Sequence, residues 1–364
     1  MGTDGWMDQI WRQIIEFGIK PMGSEKIYRT GTYLKEIMEE IGLDAEICEY
    51  PETCREPASW ELTDERGQSI DSYPFLDSGE SPGFEGTVKE AGVHRVWDMY
   101  VWKRYMILGD AGDIRAYVTV RGNGGAIPQM LFARGELPHF LVGAKEEERL
   151  RKAAEEGGRL RGFVTVREPE HPVCRNVTGY MGEGDSKVIL CAHYDTVYST
   201  CGAYDNAAGA AVVLETARRL GKCRLHSRVQ VLLTDGEEYN LRGSRRQAAA
   251  DRDQIRFVLN IDGVGREDVL EVWSGPETFE RKLRRILDQS RENFRAEYVC
   301  PPPPGSDHAP YYEKGADVCM LTFNDQGILH TPEDIYEKSK LRNMEKMVNI
   351  VMEVLEGLRV IEKS

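Results

Sequence analysis

The chain has 364 residues, more than a typical single domain, so two structural units or one unit carrying an insertion is expected. Its 61 Asp and Glu outweigh 47 Lys and Arg for a formal net charge of -14, and its basic residues sit in mixed-charge stretches. Nucleic acid, whose phosphates require basic patches, is therefore excluded as a partner.

The opening MGTDGWMDQIWRQIIEFG interrupts every apolar run with charge, so neither a signal peptide nor a membrane span is read there. No membrane partner is expected, and the cytoplasm is the default location. Within that segment, residues 7–17 place Met7, Ile10, Trp11, Ile14 and Ile15 on one helical face, and Gly18 ends the pattern. A second helix follows Ser24, with Ile27, Leu34, Ile37, Met38 and Ile41 as its stripe and Gly42 as its stop; DAEICEY then reads as a strand. Eight cysteines scattered from Cys48 to Cys319 form no CxxC pair and are expected to be mostly reduced.

From about residue 52 to 173 the texture changes to short β-like runs, SWELTD, IRAYVTV, PHFLV and GFVTV, separated by Gly and Pro turns. This predicts a β-rich inserted domain. The charged segment KEEERLRKAAEEGG within it reads as a solvated surface helix and is assigned no chemistry.

After residue 174 strands alternate with helices: KVILCAHYD, NAAGAAVVLETARRLG, RVQVLLTDGEE, FVLNIDGVG and VCMLTFN. Buried β-branched runs alternating with amphipathic helices predict an α/β domain with a mixed, mainly parallel sheet flanked by helices. Helix 206–220 aligns Ala210, Val213, Leu214 and Ala217 and closes at Gly221, and a last helix aligns Leu341, Met344, Val348, Val351 and Leu355 as core. The expected domains are 1–50 with 174–364, interrupted by 52–173.

The strands are followed, within a few residues or by way of a loop, by metal-ligand types: His193, Asp205 by way of a loop, Glu238 and Asp262; His330 follows VCMLTF in GILHTPED. In open α/β sheets the carboxyl ends of the strands form the ligand crevice, so these residues are expected to converge. Two imidazoles and three carboxylates suit zinc, and a carboxylate bridges two cations where an imidazole does not. Asp205 is the expected bridge, although an Asp before a helix also suits an N-cap.

These segments resemble the M28 di-zinc peptidases, the aminopeptidase and glutamate-carboxypeptidase group, over roughly residues 24–50 and 176–357. The matches are AHYDTV, GAYDNAAGAAVVLE, DGEEYNLRGS, NIDGVG and GSDHAP followed by HTPED. The 52–173 insertion resembles a protease-associated domain by placement and texture. The resemblance implies two zinc ions, one held by His193 and Asp262, the other by Glu238 and His330, with Asp205 shared; Co2+ or Mn2+ suit the same ligands. It implies Glu237 as general base, with Asp195 orienting the His193 ring. It also implies a cis peptide at Asp205–Asn206 and a substrate-side loop at Gly305, Ser306, Asp307 and His308. Many members carry Tyr just before the last zinc-binding His, where this chain has Leu329.

A zinc-dependent exopeptidase acting on a peptide substrate follows, with an aminopeptidase as first reading. A carboxypeptidase of the same family, a glutaminyl-cyclase-like aminoacyltransferase with one zinc, and a non-catalytic binding protein on the same scaffold stand as alternatives. Nothing in the sequence argues against a homo-oligomer.

Overall fold

In the computed structural model, residues 3–97 and 99–362 are described. The chain opens with helices α1 (Thr3–Glu16) and α2 (Glu25–Glu40), the latter capped by Ser24, whose hydroxyl accepts from Ile27 N, and then strand β1 (Asp44–Pro51). Seven strands follow: β2 (Glu56–Asp64), β3 (Ser72–Pro74), β4 (Ser81–Val96), β5 (Tyr100–Leu108), β6 (Ile114–Val120), β7 (His139–Val142) and β8 (Arg159–Arg167), with helix α3 (Glu147–Glu156) before β8. The remainder comprises β9 (Val173–Met181), β10 (Ser186–His193), α4 (Gly209–Leu220), β11 (Arg228–Thr234), α5 (Arg242–Ala250), β12 (Gln254–Val264), β13 (Val269–Gly275), α6 (Glu277–Leu287), β14 (Arg295–Val299), α7 (Ala309–Tyr312), β15 (Val318–Phe323) and α8 (Leu341–Gly357).

Two separate sheets result. The larger has the order β1-β9-β11-β10-β12-β15-β13-β14, and the smaller, drawn wholly from residues 56–167, has the order β2-β8-β4-β5-β6-β7-β3. In the larger sheet β11, β10, β12 and β15 run parallel side by side, as do β13 and β14, while β1–β9, β9–β11 and β13–β15 are antiparallel. The fold is thus mixed α/β with helices flanking the sheet.

Side chains alternate across each strand, and the two faces fill two cores. Val188, Leu190 and Ala192 of β10 join Val212 and Val213 of α4 and Met344, Met347, Val348 and Val351 of α8, whereas Ile189 and Cys191 face Ala248 and Tyr311 on the opposite side. Each such buried aliphatic side chain contributes about 1.5–3 kcal/mol of transfer free energy. The smaller sheet has its own core around Val88, Ile107, Val118, Phe140 and Val164. A seam of Met22, Cys54, Leu76, Cys174, Val197, Tyr198 and Tyr239 joins it to the larger sheet, with an ion pair from Arg242 to Asp77 across it.

Helix α4 begins later than the apolar periodicity suggests. Residues Ala203–Ala208 form an irregular turn, with non-helical backbone at Asp205 and Asn206, and the regular helix starts at Gly209. All eight cysteines are free thiols. Among the described residues no helix is long and apolar enough to cross a membrane.

Candidate metal centre

The parallel strands β10, β11 and β12 end at one edge of the larger sheet, and their continuations carry the candidate ligands. His193 is the last residue of β10, Asp262 lies near the end of β12, and Glu238 follows β11 through a turn in which Gly236 adopts φ +74, a left-handed conformation that suits glycine. Asp205 sits in the 203–208 turn. Its backbone N and that of Tyr204 donate to the buried Asp334 carboxylate at 3.1 and 2.6 Å. The next residue, Asn206, ties the turn to β12: its Nδ2 donates to Ile261 O at 2.8 Å and its Oδ1 accepts from Gly263 N at 3.1 Å and Gly209 N at 3.0 Å. The capping role that suits an Asp before a helix therefore falls to Asn206, which leaves the Asp205 carboxylate free to face the histidines. The Asp205–Asn206 peptide is cis.

Two overlapping donor sets result, His193–Asp205–Asp262 and Asp205–Glu238–His330, each with one donor atom per residue and all within 4.8 Å of one another. His193 Nε2 lies 2.9 Å from Asp205 Oδ1 and 3.3 Å from Asp262 Oδ1. His330 Nε2 lies 3.2 Å from Asp205 Oδ2 and 3.1 Å from Glu238 Oε2. Asp205 thus presents one oxygen to each set, the arrangement a bridging carboxylate requires.

The outer nitrogens of both rings are also engaged. His330 Nδ1 stands 2.9 Å from the Pro128 carbonyl, which only accepts, so Nδ1 carries a proton and Nε2 is the nitrogen turned to the carboxylates. The residue is held with φ 58, a left-handed conformation costing on the order of 1–3 kcal/mol, while Ser199 Oγ donates to its carbonyl at 2.7 Å. His193 Nδ1 lies 3.4 Å from Asp195 Oδ1 without a well-aligned hydrogen bond. Asp195 does more than face that ring: its two oxygens accept from Glu237 N and Glu238 N, both at 3.2 Å, and so tie the loop after β11 to the loop after β10.

The donor set fits divalent cations on this chain's own evidence. Lone pairs of neutral imidazoles and carboxylate oxygens pointing at one another repel unless a proton or a metal lies between them. Glu238 Oε1 is buried and has no hydrogen-bond partner among the described residues. Burial, reinforced by Asp205 and opposed by His330, pushes the Glu238 carboxyl up to about 7. Burial acts the same way on Asp205, but hydrogen bonds from His193 and His330 outweigh it and hold that carboxyl below its ordinary range. Glu237 belongs to neither donor set. Burial, opposed by His193 and reinforced by Asp262 and Glu238, pushes its carboxyl well above the usual carboxylate range.

Of the loop 305–308, Ser306 donates to Asp262 Oδ2 and accepts from Asn260 Nδ2 at 2.6 Å, and Asp307 accepts from Thr234 Oγ1. His308 turns away, with Nε2 2.9 Å from Pro303 O. Leu329 lines the cavity beside the ligands as an apolar wall.

Several cavity residues have no motif in the sequence. Trp97, Met99, Tyr100, Gln129 and Met130 come from the smaller sheet and its loops, and Glu271 and Trp273 come from β13. The smaller sheet thereby roofs the site and, through Pro128, fixes one of its histidines.

Residues 176–355 match the model of peptidase family M28. Aminopeptidase YwaD of Bacillus subtilis (strain 168) is 26% identical over 58% of this chain and 50% of its own length. The alkaline phosphatase isozyme conversion protein of Escherichia coli (strain K12) is 30% identical over 30% of this chain and 39% of its own length. The chain thus spans about half the length, or less, of the curated relatives it matches. Among solved structures, a zinc aminopeptidase from Bacillus subtilis superposes with a TM-score of 0.74 at 17% identity, covering 99% of this chain and 96% of that one. An aminopeptidase from Aneurinibacillus sp. strain AM-1 does so with a TM-score of 0.74 at 16% identity and the same coverage. At these identities the structural likeness establishes the fold. The match across 176–355 shows that this part of the chain is a peptidase family M28 domain.

Proposed function

We propose that the protein is a zinc aminopeptidase that hydrolyses the bond after the N-terminal residue of a peptide. One observation carries the choice of terminus. The cavity over the donor sets is lined by Asp205, Glu237, Glu238, Asp262 and Glu271, and by no Lys or Arg among the described residues. No basic side chain stands there to pair a substrate C-terminal carboxylate, whereas the carboxylates left over from metal binding would attract a free α-ammonium. The relatives named as aminopeptidases support the same reading.

In this reading His193, Asp205 and Asp262 hold one zinc, and Asp205, Glu238 and His330 hold the other. The two ions would supply Lewis acidity to the scissile carbonyl and lower the pKa of the attacking water. Glu237 borders the cavity without sharing in either donor set; with cations beside it to offset the burial and the neighbouring carboxylates that favour its protonated form, its carboxylate would take a proton from the water and give it to the leaving amine. Asp195 holds the backbone of Glu237 and Glu238 in register with the His193 ring. The inserted strands act as a protease-associated-like roof that narrows the cleft to a chain end.

The test is a panel run on zinc-reconstituted protein: an aminoacyl anilide, its N-acetylated analogue, and a peptide with an acidic C-terminus and a blocked N-terminus. Cleavage of the free-amine substrate alone is expected. Cleavage of the blocked peptide from its C-terminus would instead establish a carboxypeptidase.

A further inference from the structure

β13 and β15 pair antiparallel, with Glu271 opposite Thr322 and Trp273 opposite Met320. Leu270 and Val272 enter the main core, so Glu271 and Trp273 point the other way and, with Met320 and Thr322, line the cavity beside the metal donors. Glu271 is half-buried. Its Oε1 accepts from Asn324 Nδ2 at 2.6 Å and its Oε2 from Trp273 Nε1 at 3.2 Å. Both donors are neutral: they aim the carboxylate but leave its charge uncompensated, and no Lys or Arg lines the cavity among the described residues. Partial burial of an unpaired carboxylate is costly, and a cationic group on a ligand would offset that cost.

A substrate bound by its N-terminal residue has two places for such a group, the α-ammonium and the side chain. β15 lies between β13 and β12, the strand that carries Asp262. With neighbouring strands about 4.8 Å apart, Glu271 stands roughly 10 Å across the sheet from that ligand strand. The α-nitrogen is two bonds from the scissile carbonyl carbon and stays beside the metal donors, whereas an extended Lys or Arg side chain crosses the gap. The route is apolar along its sides. A Cβ placed on Gly305 would lie 3.4 Å from both Met99 Sδ and Trp97 Cζ3 and 3.7 Å from Trp273 Cζ3, so thioether and indole groups gather where the methylenes of such a side chain would run.

We propose that this cavity is a pocket for the cationic side chain of an N-terminal Lys or Arg, with Glu271 as the recognition group held in place by Asn324 and Trp273. The proposal rests on the aminopeptidase reading above. Norleucine supplies the comparison, since its side chain follows that of lysine without the ammonium. The experiment measures kcat/KM of zinc-reconstituted wild type and Glu271→Gln on lysyl, arginyl and norleucyl anilides, together with calorimetric binding of free L-lysine and L-norleucine. Charge-assisted hydrogen bonds of this kind predict a lysyl-to-norleucyl preference of roughly tenfold to a hundredfold in wild type, collapsing towards one in Glu271→Gln. Equal turnover of the two by wild type overturns the proposal. So does a variant that loses both substrates in proportion, because that would put Glu271 at the α-ammonium. If no anilide is cleaved, the aminopeptidase reading fails and the calorimetry decides the pocket: lysine bound more tightly than norleucine in wild type but not in the variant upholds it, and equal binding overturns it.

Discussion

Glu237 and Glu238 are neighbours in sequence with different surroundings. Glu238 meets His330 and Asp205 within a donor set, while Glu237 faces the cavity and belongs to none. Replacing Glu237 by Gln keeps the volume and the hydrogen-bonding shape but removes the group proposed to carry the proton. The expected result is a fall in kcat of about 10²–10⁴ with metal content unchanged, read by steady-state kinetics beside elemental analysis of the same samples. At this scale the sequence was legible wherever chemistry demanded a particular residue type. His193, Asp205, Glu238, Asp262 and His330 lie in short motifs, and the structure brings all five together. The partners that act through backbone atoms were not legible. Nothing about Pro128 distinguishes it in the sequence, because any residue has a carbonyl and only the fold decides which one meets His330 Nδ1. Asn206 and Asp334 were within reach, since both fall inside the motifs that carry ligands, but their roles are hydrogen bonds to backbone that spacing does not reveal.

Among the elements, β10, β11, β12, β15, α4 and α8 were readable because each buries a continuous or single-faced apolar run. β13 was not: Glu271 and Trp273 alternate with Leu270 and Val272, and a strand with one polar, cavity-facing side resembles a loop-bordered segment when its partner strand is unknown. The long β4–β5 hairpin was missed for a related reason, charged and glycine positions breaking up the apolar pattern of β4 and Lys103 and Arg104 that of β5. That hairpin also carries a titratable group whose burial has a consequence. His94 on β4 and His139 on β7 pack with ring centroids 5.2 Å apart around Phe75, and His139 Nε2 pairs with Thr119 Oγ1 at 2.7 Å. Burial, then the nearby Arg104 charge, lowers His94 from its ordinary 6.5 to about 4, while burial, then His94 and Arg104, lowers His139 well below its ordinary value. Folded-state values below the unfolded ones mean that the unfolded chain binds more protons, so stability is present above about 6.5 and is lost as pH falls towards about 4. Urea unfolding followed by tryptophan fluorescence is expected to show a midpoint that drops across this window, less steeply in His94→Gln. A variant as pH-sensitive as wild type would assign the drop to other groups.

For the molecule as a whole, the larger sheet gathers the five candidate ligand residues from distant parts of the chain, and the smaller sheet covers them. Ions that bind this assembled set and not the unfolded chain would stabilise the fold by mass action. Uncompensated, the buried carboxylates of Asp205 and Glu238 and the half-buried one of Asp262 around two imidazoles are a source of repulsion, and Asp205, with an oxygen towards each histidine, is the one residue common to both donor sets. The most direct test of the paired-cation account is therefore the stoichiometry of zinc bound after reconstitution and removal of free metal, measured on wild type and Asp205→Ala, with circular dichroism to show that both are folded. The account predicts two ions per wild-type chain and loss of both from Asp205→Ala. One ion per wild-type chain, as a cyclase-like single-zinc site would bind, or two ions retained without Asp205, would contradict it.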